Sequence, residues 1–162
     1  MPKKLRLDSD YDNDFTILGI ASHLHDYRLI WSLNEKMHLH LIKMDDLKIF
    51  QDKKNEFNKF SMFYYEDVNT FKNYYFISNT GENGLLFPEL KQINYLMFLK
   101  GNISSEMKKE LIQNISSIVN VLTIYPISLS LIKNIDNFLL DIELHMLEVT
   151  KKDKESKVKL LK

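Results

Sequence analysis

The stretch Ile93-Asn94-Tyr95-Leu96-Met97-Phe98-Leu99 limits the fold more than any other part of the chain. It is too short for a buried helix and shows no polar–apolar alternation, so it reads as a strand buried on both faces. Gly101-Asn102 ends it, and Ser104 or Ser105 caps a helix in which Met107, Leu111, Ile115 and Ile118 recur every three or four residues. Residues 121–125 return to strand until Pro126 breaks it. The segment 93–125 is therefore a β-α-β unit. If its strands are parallel in one sheet, the crossover is right-handed.

The rest of the chain supplies neighbours for that strand. Residues 4–7 and 15–20 read as strands joined by the acidic turn 8–14, and residues 60–65 and 74–78 as an antiparallel aromatic pair. A helix follows Ser22, its expected N-cap, with Leu24, Tyr27, Ile30, Trp31, Leu33 and Met37 as its apolar face. Short strands are expected at 39–42 and 47–50, and an exposed charged loop at 51–58. Asn79-Thr80-Gly81-Glu82-Asn83-Gly84 is the strongest turn signal, holding two of the four glycines. Residues 129–149 read as helix with a break near 134–137. The expected fold is α+β: one domain over 1–150, a mainly antiparallel sheet of about five to seven strands, helices packed on one side, and the β-α-β unit in the second half. Residues 151–162 are expected to form a basic, flexible tail.

Several chemistries lack the residues they need. With no cysteine, disulfides, thiolate catalysis and cysteine-ligated metals are excluded. The sequence has no membrane-length apolar run, and its basic start lacks an apolar stretch behind it, so neither a membrane span nor a secretory signal is expected. A cytoplasmic protein is the simplest reading. The net charge is zero, but 151–162 carries six lysines against Asp153 and Glu155, leaving the body mildly acidic. Only Arg6 and Arg28 are arginines, which argues against nucleic-acid recognition except weakly through the tail.

The aspartates at 8, 10, 12 and 14 imitate the start of a calcium loop, but Asn13 and Gly19 stand where that loop requires glycine and glutamate. His23-x-His25 and His38-x-His40 have no carboxylate or cysteine partner at ligand spacing, so no metal site is expected. No Gly-x-Ser-x-Gly elbow and no phosphate-cradling glycine loop is present, and no catalytic residue or cofactor is assigned. The aromatic strands are too dense for one sheet face, which makes Phe63, Tyr65, Tyr74 and Phe76 an expected interaction surface, with core packing of most of these rings the equal alternative.

The stretch Phe87-Pro88-Glu89-Leu90-Lys91-Gln92-Ile93-Asn94-Tyr95 resembles the signature of the IPExxxVDY family of Bacteroidetes. Pro88, Glu89 and Tyr95 match the motif, Phe87 and Ile93 are apolar exchanges, and Asn94 replaces its aspartate. Further similar features, among them Leu18-Gly19-Ile20, Ser78-Asn79 and Leu99-Lys100-Gly101, extend the resemblance over about residues 3–125. The family has no assigned activity, so the resemblance implies a lineage and no catalytic residue.

Three functional expectations follow. The leading one is a non-enzymatic module that binds a protein partner or self-associates. The second is a small-ligand sensor with a pocket between the 79–84 loop and Pro88-Glu89, contacted by Arg28, Glu89 and Tyr95. The third is an RNA-associated accessory protein using the basic tail. Pro88-Glu89 itself reads as a corner, because proline suits the first position of a helical turn and glutamate suits its positive end.

Overall fold

The computed structural model describes residues 15–161. The strand expected at 4–7 and the acidic turn at 8–14 lie outside them. The described chain runs β1 (Phe15–Ser22), α1 (Asp26–Met37), β2 (Ile42–Lys43), β3 (Leu47–Gln51), β4 (Glu56–Phe60), β5 (Met62–Asp67), β6 (Lys72–Ser78), β7 (Thr80–Gly81), β8 (Gly84–Leu85), β9 (Tyr95–Lys100), α2 (Ser105–Ser116), β10 (Val121–Ile127) and α3 (Ile135–Leu161). Six strands form one sheet in the order β10-β1-β9-β6-β5-β2, with β3–β4 and β7–β8 as separate hairpins. The fold is α+β in a single domain.

Every neighbouring pair in the large sheet is antiparallel. Because β9 and β10 both run antiparallel to β1, they are parallel to each other with β1 between them. The expected β-α-β unit is therefore present, split by the first strand. Ser104 caps α2 by accepting from the Met107 amide at 3.1 Å.

Helices cover both faces of the sheet, where the sequence reading put them on one. Leu18, Ile20, Phe76, Met97 and Leu99 pack under α1 and α2 against Leu29, Leu33, Leu111 and Ile115. Ile17, Ile77, Leu96 and Phe98 pack on the other side against Phe138, Leu139 and Ile142 of α3 and Leu47 and Phe60 of the β3–β4 hairpin. The reason lies in β9, which is apolar at successive positions and so presents apolar side chains both ways. Burying a Leu or Phe is worth about 1.5–3 kcal/mol, so the face carrying Leu96 and Phe98 requires a cover of its own.

Other differences have local causes. The 51–58 segment is exposed over 52–57 as expected, but it is a hairpin turn and the start of β4 rather than an irregular loop, with Phe50 paired to Phe57 and Gln51 to Glu56. The charges there hide a period-2 pattern whose inward positions are Asn58 and Phe60. β10 continues through Pro126, which an edge strand tolerates because it is hydrogen-bonded on one side alone. The N-cap position of α1 is His25, which makes no side-chain cap bond, rather than Ser22, and the strand at 39–42 shrinks to β2. The expected break falls at Asn134, whose φ of 57° precedes the start of α3. That helix continues to Leu161 through the segment read as a flexible tail.

Candidate functional site

The residues expected to share a ligand pocket are spread over different parts of the molecule. Arg28 is exposed on α1 and lines a cleft with Trp31 and Asn120. Glu89 is exposed on the Pro88–Leu90 turn and lines a smaller cleft with Gln92 and Tyr125. Tyr95 is buried in the core between them, where its hydroxyl donates to the Leu24 carbonyl at 2.6 Å. Burial, with a smaller contribution from the Asp26 charge, pushes that phenol up to about 12. Tyr95 is a structural strut, and the three do not converge.

The loop expected to edge that pocket is locked by Asn79. Its side-chain nitrogen donates to the carbonyls of Leu90 and Ile93 at 3.0 and 2.9 Å, and its side-chain oxygen accepts from the Phe87 amide at 2.9 Å. Its backbone N–H donates to Asn94, and its carbonyl accepts from Leu86. A fully buried asparagine is thereby satisfied at every polar atom. Pro88–Leu90 forms the expected helical turn, held from inside by Asn79.

The rings expected to form an interaction surface are interior. Phe63, Tyr74 and Phe76 are buried, and Tyr65 is half-buried against Tyr74 with ring centroids 5.7 Å apart. Successive residues of β5 and β6 point to opposite faces, and both faces are covered, so the dense aromatic pair fills two cores at once. Tyr64 and Tyr75 belong to the other face, and burial raises both phenols. Among the described residues, no three His, Cys, Asp or Glu side chains gather as metal ligands. His23, His25, His38 and His40 are all exposed.

An aromatic surface does exist, on the outer side of α1. The sheet takes Leu29, Ile30 and Leu33 from this helix, which turns Tyr27 and Trp31 outward at 63% and 66% exposure. Of the expected apolar face, Ile30 and Leu33 are buried and Leu24 and Met37 pack against the core, whereas the two rings face outward and Leu29 takes their place inside. Tyr27 and Trp31 sit four residues apart and share one side of the helix. Tyr27 also stacks on His25, with centroids 5.9 Å apart and planes 5° from parallel.

Opposite these rings stands the turn between α2 and β10, with Val119 exposed and Asn120 at a φ of 73°. Between the two walls lies a cleft of about 600 Å³, lined by Leu24, Tyr27, Arg28, Trp31, Val119 and Asn120 among others. Both walls hang from strand ends. The Ser22 hydroxyl donates to the Asn120 carbonyl at 2.8 Å and accepts from the Leu24 amide at 3.1 Å. Asn94 holds Ser22 in turn, its side-chain oxygen accepting from the Ser22 amide at 2.8 Å. Rigid anchors thus carry an apolar, aromatic cleft in which, among the described residues, Arg28 is the one charged lining residue.

Such a cleft can bury an apolar side chain against two rings and pair an anion with the guanidinium. Among the described residues, its lining pairs no nucleophile with a base. No family model matches the chain, and no curated protein matches it. No described helix is long and apolar enough to cross a membrane.

Proposed function

We propose that the protein is a non-enzymatic interaction module that seats an apolar segment of a protein partner, bearing an acidic side chain, in the cleft between α1 and the α2–β10 turn. The exposure of Trp31 and Tyr27 beside Arg28 carries this reading. Tryptophan, tyrosine and arginine are the residues most enriched where binding energy concentrates in protein interfaces. The lineage suggested by residues 87–95 is likewise a proposal, and it adds no residue to the site.

Trp31 is the single tryptophan of the chain, so its fluorescence reports on this cleft alone. Peptides selected from a displayed random library against the protein should pair an aromatic or leucine anchor with Asp or Glu. They should shift the Trp31 emission to the blue and lose binding to Arg28→Glu and Trp31→Ala variants of unchanged melting temperature. Selection that enriches the same peptides on the Trp31→Ala protein would overturn the reading.

A further inference from the structure

The last helix carries a second apolar stripe that its own domain does not use. Phe138, Leu139, Ile142 and Val149 face the core, while Leu140, Leu144 and Leu147 remain 46%, 50% and 68% exposed. Their spacing of four and then three residues is that of a helix–helix seam. Beyond Val149, residues 150–155 are exposed without exception, and of these Lys152 alone is seen to reach another described element, its ammonium lying 4.0 Å from the Asp45 carboxylate. An isolated helical stretch of that kind is marginal in water and gains its stability from a partner.

Charge says what the partner is. Residues 135–149 contain Asp136, Asp141, Glu143 and Glu148 and no lysine or arginine, whereas 151–162 contain six lysines against two acids. Lys100 bridges Glu143 at 2.6 Å, and Asp141 and Glu148 carry the acidic character nearer the middle of the helix. A helix that is acidic in its first half and basic in its second complements a copy of itself running the opposite way. The 27 residues of α3 span about 40 Å, and its midpoint falls at Glu148, beside the most exposed leucine of the stripe.

We infer that the protein forms a twofold homodimer through antiparallel pairing of α3, with the axis passing near Leu147. Antiparallel pairing about an axis between Leu147 and Glu148 sets Asp141 against Lys154 of the second copy and Leu144 against the stem of its Lys151. Leu147 meets its own counterpart. The second copy also lies over the groove of about 620 Å³ beside the stripe, which Phe57 of the hairpin and Leu144 both line. Each contact occurs twice, as an isologous interface requires. The inference is independent of the α1 cleft, which lies on the other side of the sheet.

The absence of cysteine makes the test direct. Light scattering on the full chain should give twice the monomer mass, falling to one copy in Leu147→Lys with unchanged circular dichroism and melting temperature. Under mild oxidation Leu147→Cys should cross-link to itself. Leu140→Cys alone should not, yet it should cross-link when mixed with Glu155→Cys. A full-length chain that stays monomeric at tens of micromolar would overturn the inference. So would Leu140→Cys cross-linking to itself as fast as Leu147→Cys, since that places the helices parallel.

Discussion

The backbone N–H of Asn79 donates to the carbonyl of Asn94 at 2.9 Å, so the end of β6 and the entry to β9 are tied by two asparagines. Their side chains do different work. Asn79 uses both donors and its acceptor inside the corner, whereas Asn94 offers its oxygen to the Ser22 amide. Together they connect the Pro88–Leu90 turn to the floor of the α1 cleft through Ser22 and Asn120. The resemblance to a motif with aspartate at position 94 is physically intelligible, because aspartate supplies the same acceptor.

Aspartate should therefore be tolerated at one position and not at the other. Asn94→Asp retains the oxygen that Ser22 needs and should change stability by no more than about 1 kcal/mol. Asn79→Asp would turn a carboxylate oxygen towards two carbonyls in a fully buried site. It should cost at least about 3 kcal/mol. Urea unfolding of the two variants, monitored by circular dichroism, decides the order.

The glycines make a second ranked pair. A methyl group at Gly81 would meet the Lys59 carbonyl oxygen at 2.7 Å, and backbone cannot step aside. At Gly19 the nearest atoms are the terminal methyls of Ile93 and Ile127, which can rotate. Gly81→Ala should destabilise by about 2–3 kcal/mol and Gly19→Ala by about 1 kcal/mol. Thermal melts showing the reverse order would contradict this account of both contacts.

What the sequence disclosed follows the strength of its patterns. β9 was legible because successive apolar residues over so short a run have one physical reading, and α2 because its stripe and Ser104 cap agree. The two-sided cover follows from that same run in β9, whose alternate side chains each need an apolar layer. α1 was ambiguous for a definite reason. Tyr27 with Trp31 and Leu29 with Leu33 are both apolar pairs at a spacing of four, and only the packed sheet selects the second. The cleft is illegible in the sequence for the same reason, since periodicity alone places its rings in the core. The corner at Pro88 was legible as a turn, while the role of Asn79 depends on carbonyls brought to it by tertiary contact.

Glu89 separates site from corner. Its side chain is exposed on the Pro88–Leu90 turn, which Asn79 secures from the opposite side. Neutralising it removes at most a small favourable interaction with the end of one short turn. Glu89→Gln should leave the unfolding midpoint within about 0.5 kcal/mol of the parent and leave the Trp31 emission unchanged. A loss of several times that size would give Glu89 a structural role that its exposure does not suggest.

Tyr95 sets a limit at the alkaline end. Its pKa rises from 10.0 to about 12 on folding, so the folded state holds the proton more tightly than the unfolded chain does. The stabilisation is complete below the unfolded value and is lost as pH climbs through the folded one. Burial raises Tyr64, Tyr74 and Tyr75 in the same direction, so stability should fall steeply above about pH 10. Tyr95→Phe removes one of these protons together with the bond to Leu24. It should cost about 1–2 kcal/mol at neutral pH. Between about pH 10 and 12 its stability should then decline less steeply than the parent's, by up to about 1.4 kcal/mol per pH unit. Urea midpoints of the two proteins across that range measure the difference, and parallel curves would mean that the Tyr95 hydroxyl ionises as freely in the fold as in water.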